Sequence, residues 1–335
     1  MKKPLKTLTA ILASALLLAG CGGEEASKKT SEEGEKVVTV GITQFAEHPS
    51  LDAATKGFKK ALEDKGFKEG ENIKFDEQNA QADMNNTQTI ANNFVGDKVD
   101  LIFANATPSA TAALNATKEI PIIFTSVTDP IGAGLVEGFD KPGTNITGTT
   151  DNHPKATEKT ISFITDQIGA KKIGVIYNAG EQNSEVQVNA VKKVAEPKGA
   201  KIVEASVSTS AEVKQAAESL VGRVDAIYIP TDNTVVSALE SVISVANSKK
   251  IPLFVGELDS MKKGAIAASG FEYYDIGYQS GLMAAEVLRG SKKTSQIYVE
   301  LPKSLKLVIN KKAAEAQGVT VKDEWKDLGE FYEGE

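Results

Sequence analysis

The sequence predicts an α/β protein with two similar lobes, each built on a doubly wound parallel sheet. Three observations support this fold class. Short apolar, β-branched runs alternate with longer amphipathic runs from Val37 onward, the alternation begins again near Lys171, and segments of the two halves match. Such alternation is typical of parallel sheets that helices cover on both faces. We expect the chain to cross between the lobes several times and to leave a cleft between them.

In the first half, strands and helices alternate. Strands are predicted in residues 36–45, 72–80, 100–104 and 120–127, and helices in residues 51–66, 83–96 and 107–118. The helix at residue 107 opens with Thr107-Pro108, which predicts a capping threonine followed by proline at the first helical position. The second half repeats the pattern, with strands in residues 171–180, 200–208, 225–230 and 251–258 and helices in residues 183–199, 210–222 and 232–250.

The two halves also match in sequence. Val99–Leu114 reads VDLIFANATPSATAAL and Val224–Leu239 reads VDAIYIPTDNTVVSAL, and IPIIFTSVTD from Ile120 parallels IPLFVGELD from Ile251. Both pairs occur in the same order, which indicates two similar lobes. The remaining segments, 269–290 and 301–318, add one more helix and further strands.

The N-terminal segment predicts export and lipid attachment. Lysines precede an uncharged run from Leu8 to Gly20 that is too short to span a membrane. Leu18-Ala19-Gly20-Cys21 resembles the lipobox of bacterial lipoproteins, which implies cleavage before Cys21 and a diacylglycerol thioether on the only cysteine. We interpret residues 1–20 as a lipoprotein signal peptide and 21–36 as a flexible tether. The alternative is an ordinary signal peptide with an incidental cysteine.

Composition limits the function classes. Removal of residues 1–20 leaves 35 basic and 45 acidic residues, a formal charge of about −10, which argues against nucleic-acid binding. With one cysteine and two histidines, a Cys/His metal site is excluded, and no cofactor is expected. The sequence has no nucleophile elbow, phosphate-binding loop or dinucleotide motif, so we predict a binding protein rather than an enzyme.

Stretches across the chain resemble the ABC-transporter substrate-binding lipoproteins of the tryptophan/tyrosine-binding kind, which have a type I periplasmic-binding-protein fold. The resemblance spans residues 47–281 and rests on EHPSLDAATKGF, ANATPSATAAL, SVTDPIGAGLV, NITGTTD, KKIGVIYNAGEQNS, IPTDNTVVSAL and FEYYDIGYQSG, in that order. It implies a three-crossing hinge near residues 148–152, 269–270 and 302. Lobe 1 would comprise residues 37–148 plus 270–301, and lobe 2 residues 149–269 plus 302–330.

The same resemblance implies a function. We expect a monomer held at the extracytoplasmic face of the membrane by lipid on Cys21, which closes around an aromatic amino acid and delivers it to an ABC permease. Three alternatives stay open: a tethered sensor for another receptor, a different ligand such as a sugar, nucleoside or aliphatic amino acid, and an extracytoplasmic hydrolase.

Ligands of open α/β sheets bind beyond the carboxyl ends of the strands, and these ends supply the candidate site residues. They are Gln44, Phe45, His48, Thr107, Pro108, Ser109, Thr128 and Asp129 in lobe 1, and Asn178, Glu181, Asn183, Ser184, Thr231, Asp232, Asn233 and Glu257 in lobe 2.

Two of the strand-end loops suggest how a zwitterion would be held. The helix start at Thr107 offers backbone N–H groups for a carboxylate, with help from the hydroxyls of Thr107 and Ser109. Asp232, at the matching loop of lobe 2, is the candidate partner of an ammonium group, although it can equally cap its helix. For an aromatic ring, FEYYDIG is either a cleft-lining segment or a helix start with buried aromatic side chains.

Overall fold

The structure, a computed structural model, describes residues 37–334 and confirms the predicted α/β class. The predicted signal peptide, Cys21 and the tether lie outside the described residues. The strands are β1 (Val38–Gln44), β2 (Ile73–Asn79), β3 (Leu101–Asn105), β4 (Ile122–Val127), β5 (Ile146–Thr150), β6 (Lys172–Asn178), β7 (Lys201–Val207), β8 (Ala226–Ile229), β9 (Leu253–Val255), β10 (Ala267–Gly270), β11 (Lys306–Asn310) and β12 (Glu330–Tyr332).

The α-helices surround these strands. They are α1 (Pro49–Asp64), α2 (Met84–Gly96), α3 (Thr107–Ala116), α4 (Ala156–Ser162), α5 (Gln182–Ala195), α6 (Val213–Ser219), α7 (Asn233–Ser237), α8 (Leu239–Lys249), α9 (Leu258–Gly264), α10 (Tyr273–Leu288) and α11 (Lys311–Ala316). A π-helical turn, Phe163–Ile168, continues α4. No helix within residues 37–334 is both long and apolar enough to cross a membrane.

The strands form two sheets. The first has the order β2-β1-β3-β4-β5 and is parallel throughout, and with α1, α2, α3 and α10 it makes up what we call lobe 1. The second has the order β12-β11-β10-β9-β8-β6-β7, and only its β10–β11 pair is antiparallel. With α4 to α9 and α11 it makes up lobe 2.

Both faces of the first sheet are covered, as strand β3 shows. Leu101 and Phe103 belong to one core cluster, which includes Phe58 of α1, while Ile102 and Ala104 belong to another on the opposite face. Alternate residues of a strand point to opposite faces, so a strand that is apolar at every position is buried on both.

The chain passes between the two sheets three times within the described residues. It leaves lobe 1 after β5, returns between β10 and α10, and enters lobe 2 again before β11. The last crossing runs beside the first, because Thr150 N donates to Glu300 O over 2.9 Å and Glu300 N donates to Gly148 O over 3.1 Å. The connections that would act as a hinge therefore lie together.

Helices α1 and α10 pack with their backbones in close contact. A Cβ added at Gly57 would lie 2.1 Å from Tyr274 O, and one added at Gly277 would lie 1.9 Å from Ala54 O. These distances are far below van der Waals contact, so only glycine permits this approach. As a result, α1 is fixed firmly to α10 and to lobe 1.

The structure corrects some details of the predicted elements. The single helix predicted in residues 232–250 is interrupted at Ala238, which separates α7 from α8. The strand predicted to end at residue 258 stops at Val255, and α9 follows. Thr107 does not cap α3: the N-cap is Ala106, and no side chain bonds to the first turn.

Candidate ligand-binding site

A small enclosed cavity lies between the lobes, beyond the carboxyl ends of their strands. The space open to the centre of a water-sized sphere is about 10 Å³. Its wall contains side chains from β–α loops of both lobes and from the hinge, namely His48, Leu51, Ser126, Thr128, Asp151, Asn183, Thr231, Asn233 and Tyr273. This is the position in which open α/β sheets bind their ligands.

The backbone of lobe 1 is strained at the ends of two strands, one of which carries the cavity residue Ser126. Ser126, near the end of β4, has φ of 57°, and Ala106, directly after β3, has φ of 87° and ψ of 157°. L-residues rarely adopt these conformations, and such strain is concentrated at binding and active sites. The strand ends of lobe 1 are therefore held in a shape that local sequence preference does not favour.

Asp151 contributes a carboxylate to the cavity at the first hinge crossing. The residue is partly exposed, but its Oδ1 atom is buried and has no hydrogen-bond partner among residues 37–334, while Oδ2 accepts from the Tyr273 hydroxyl over 2.8 Å. Burial raises the pKa of the Asp151 carboxyl above its ordinary value, more than the nearby Tyr273 and Thr128 hydroxyls lower it. Within the part of the chain that the structure describes, no cation compensates the charged form of Asp151.

Asn183 and Ser126 present further unpartnered oxygens. Asn183 is 2% exposed, and its amide nitrogen is in hydrogen-bond range of Glu181 and Thr231 O, which leaves Oδ1 without a partner. Ser126 Oγ is also buried without a partner. Buried polar atoms are normally paired, so an unpaired set around one cavity indicates a polar ligand.

His48 forms part of the wall at the start of α1. Its Nδ1 accepts from Ser50 N over 3.1 Å, so that the imidazole caps the helix. Burial lowers the pKa of His48 to about 4, against the opposing effect of Asp52. At neutral pH the ring is uncharged and, with Nδ1 accepting, carries its proton on Nε2.

Hydrogen bonds between the lobes show that the cleft is closed. The Ser50 hydroxyl of lobe 1 donates to Glu257 Oε2 of lobe 2 over 2.6 Å. Gln187 of lobe 2 donates to Thr128 Oγ1 of lobe 1 over 3.4 Å. Such contacts require that the two strand edges face each other at short range.

Asp232 and Glu181 hold the start of α7 rather than lining the cavity. Asp232 Oδ1 accepts from Val235 N, the helix cap, and Oδ2 accepts from Ser184 Oγ over 2.7 Å and from Asn178 N. Glu181 accepts from the backbone and side chains of the first α7 residues. Burial and, to a lesser extent, the Glu181 carboxylate raise the pKa of Asp232 to about 7.

The cavity wall includes some of the predicted site residues, while others lie behind it. His48, Thr128, Asn183, Thr231 and Asn233 are in the wall, and for these ligand contact stays a prediction. Thr107 lies outside the wall, and its hydroxyl is buried with no partner among residues 37–334, so ligand contact through this residue stays a prediction. The other candidates make contacts within the protein. Phe45 and Pro108 are buried, Gln44 bonds to Asp52, Ser109 accepts from Thr43, Asp129 accepts from Gly132 N in a turn, and Asn178, Ser184 and Glu257 bond as described above.

The sequence prediction missed Leu51, Ser126 and Asp151 as cavity residues. Asp151 follows β5, whose sequence ITGTT is polar and was not recognised as a strand. Tyr273 resolves the question about FEYYDIG, because it both begins α10 and lines the cavity. Its ring stacks on Phe271, with centroids 5.3 Å apart and planes at 18°.

The chain belongs to the family of ABC transporter substrate-binding proteins, whose sequence profile matches residues 39–328. The predicted type I periplasmic-binding-protein architecture is confirmed. The tyrosine-binding protein of Clostridioides difficile strain R20291 is 48% identical over 324 residues, which cover 94% of this chain and 93% of the relative. These relatives are substrate-binding proteins, in keeping with the predicted absence of enzymatic activity.

Two solved structures bear on the conformation. A Streptococcus pneumoniae ABC domain in complex with L-Trp is 32% identical and has a TM-score of 0.82, covering 88% of this chain and 99% of that one. A ligand-free, open substrate-binding protein with adhesive properties from Clostridium difficile is 45% identical, yet its TM-score is 0.64, with 89% and 100% covered. The less identical but ligand-bound protein fits better, as expected if the described conformation is closed.

Proposed function

We propose that this protein captures an aromatic α-amino acid in the interlobe cavity by closure of the two lobes. The observation that carries the proposal is the set of unpartnered buried oxygens in the cavity wall: Asp151 Oδ1, Asn183 Oδ1 and Ser126 Oγ. An ammonium group has three N–H donors and no acceptor, so it matches these three oxygens and neutralises Asp151. Asp151 thereby replaces Asp232 as the proposed ammonium partner.

The first turn of α1 is the proposed position of the ligand carboxylate. His48 and Leu51 bring this turn into the cavity wall, and the N-terminus of a 16-residue helix carries partial positive charge. The neutral His48 ring adds an N–H donor at Nε2. The two charged groups of an amino acid would thus meet opposite sides of a single small cavity.

An aromatic side chain is favoured by the apolar part of the wall and by the relatives. Leu51 and Tyr273 supply apolar surface, and the Phe271 ring stacked on Tyr273 fixes its orientation. A relative 48% identical is a tyrosine-binding protein, and a solved structure of this family contains L-Trp. Tyrosine and tryptophan are therefore the first ligands to test.

We also propose that the protein is the lipid-anchored, monomeric component of an ABC importer. Membership of the family implies an extracytoplasmic location and a permease partner. The lipobox-like sequence before Cys21 supports attachment of lipid to that thiol. An alkyne-labelled palmitate fed to cells should label the wild-type protein but not the Cys21→Ser variant, and labelling of neither would remove the lipid anchor from the proposal.

A thermal-shift screen across amino acids, nucleosides and sugars tests the ligand class. A ligand at 100 times its Kd stabilises the folded protein by about 2.7 kcal/mol, which gives a measurable rise in Tm. We expect L-tyrosine or L-tryptophan to raise Tm, and their hydrolysis or modification should not follow on prolonged incubation. A shift with sugars or nucleosides alone would overturn the proposed ligand class.

A further inference from the structure

A hydrogen bond between the lobes lies outside the wall of the ligand cavity. Ser50, in the first turn of α1, donates through Oγ to Glu257 Oε2 at the N-cap of α9 over 2.6 Å. The two residues are 0% and 2% exposed, and neither belongs to the cavity wall, whereas their neighbours His48 and Leu51 do. The bond therefore depends on the distance between the lobes and not on direct ligand contact.

Ser50 is carried by a rigid part of lobe 1. The helix that contains it packs backbone to backbone against α10 through Gly57 and Gly277. That second helix begins at Tyr273, immediately after the second hinge crossing, and Tyr273 bonds to the cavity residue Asp151. Movement of lobe 1 about the hinge must consequently carry Ser50 towards or away from α9 as one body.

Glu257 is a carboxylate that the closed state removes from water. Its Oε2 also accepts from Ser260 N over 3.0 Å, while its Oε1 is buried without a partner. Asp259 lies beside it, with Oδ2 3.1 Å from Ser50 Oγ and Oδ1 3.0 Å from Lys262 Nζ. A buried carboxylate with too few donors is costly, so the hydrogen bond from the Ser50 hydroxyl offsets part of the cost of burying Glu257 in the closed conformation.

We propose that Ser50 and Glu257 are positioning residues that form a closure latch: they stabilise the ligand-bound, closed form without touching the ligand. The inference rests on the proposed function, since it concerns release of the captured amino acid. An interaction present only in the closed form shifts the open–closed balance and thereby raises ligand affinity. Because the latch breaks on opening, it governs the dissociation rate more than the association rate.

A double-mutant cycle on the full chain tests the latch. L-Tyrosine and L-tryptophan are titrated into the wild type, Ser50→Ala, Glu257→Ala and the double variant, and association and dissociation rates are measured by stopped flow. We expect Ser50→Ala to weaken binding by roughly 10- to 100-fold, mainly through faster dissociation. The loss of affinity in the double variant should be smaller than the sum of the two single losses, although the Ser50 hydroxyl can still reach Asp259 when Glu257 is absent. Glu257→Ala and the double variant both lose the α9 cap. The effect of that loss on affinity therefore cancels when the coupling free energy between Ser50 and Glu257 is calculated.

Ser260→Ala is the matched control, because it removes a second buried serine hydroxyl beside the same carboxylate, from within lobe 2, without removing a lobe-to-lobe bond. Its affinity should stay at the wild-type value, and the ligand-free Tm of Ser50→Ala should not fall. Additive losses in the cycle, or wild-type affinity in Ser50→Ala, would overturn the latch while leaving the proposed function intact. A wild-type protein that binds neither amino acid would overturn the proposed function, and the latch with it.

Discussion

Replacement of Asp151 by asparagine should separate ligand affinity from stability. The Asp151 carboxylate has a buried, unpartnered oxygen in the cavity wall, and we propose that it pairs with the ligand ammonium. Removing one member of a buried, hydrogen-bonded charge pair costs about 2–5 kcal/mol, and 3 kcal/mol corresponds to a roughly 100-fold weaker Kd. Asparagine retains an oxygen that can accept from the Tyr273 hydroxyl, so the hinge contact is kept.

The same substitution should stabilise the ligand-free protein. Burial raises the pKa of Asp151, so the stability associated with its protonated form is complete below the ordinary aspartate pKa of about 3.9 and is lost as pH rises. An uncharged side chain avoids that loss. The Tm difference between the variant and the wild type should therefore grow as pH rises from about 4 through the raised pKa of Asp151, and then stay constant.

Isothermal titration with L-tyrosine and L-tryptophan, together with thermal denaturation at several pH values, measures both effects. Asp225→Asn is the control, because Asp225 accepts from the backbone N–H groups of Lys171 and Lys172 within lobe 2 and lies outside the cavity wall. Its Kd should match that of the wild type. Wild-type affinity in Asp151→Asn would refute the assignment of Asp151 to the ammonium group.

Three further predictions follow from the contacts. His48→Asn should keep the α1 cap, because asparagine is a preferred N-cap, but should weaken ligand binding roughly 10-fold in a titration through loss of a wall donor. Asp232→Ala should lower the free energy of unfolding by about 2 kcal/mol in urea titrations, because the Ser184 hydroxyl and Val235 N–H would lose their acceptor. An unchanged urea midpoint would contradict the capping role of Asp232. Gly277→Ala should destabilise by about 3 kcal/mol in the same assay by forcing α1 and α10 apart, while Gly96→Ala, with open space around it, should not.

Much of the fold could be predicted because its strands carry a local signal. β3 and β4 are apolar at nearly every position, and a parallel strand covered on both faces requires this. β5 could not be recognised in the same way, because it contains buried threonines whose hydroxyls form hydrogen bonds with residues distant in sequence. Thr147 donates to Ile297 O, and Thr149 bonds to Thr125 and Ser280. Such compensation is visible only in three dimensions.

The site was harder to predict than the fold, for two physical reasons. Asp232 lies at a helix start in sequence, and both of its oxygens are used within lobe 2: Oδ1 caps α7, and Oδ2 accepts from Ser184 and Asn178. Asp151 was overlooked because it follows the unrecognised strand β5 and becomes a cavity residue only through the hinge crossing. His48, by contrast, was found because it lies on a loop at the end of a clear apolar strand.

The side chain of Thr107 illustrates the limit of local pattern. Thr-Pro at a helix start predicts a cap, but the backbone at Ala106 adopts φ of 87°, and the Thr107 hydroxyl is buried without a partner. The strained turn lies at the carboxyl edge of the lobe 1 sheet, and backbone strain of this kind is concentrated at functional sites in proteins generally.

The account depends most directly on recognition of the ammonium group by the cavity oxygens. Isothermal titration of the wild-type protein with L-tyrosine, L-tryptophan and their deamino analogues, the corresponding arylpropionates, tests it. We expect at least one of the amino acids to bind and its deamino analogue to bind at least about 100-fold more weakly, because Asp151 would remain buried without a cation. Equal affinity for an amino acid and its deamino analogue would contradict the account.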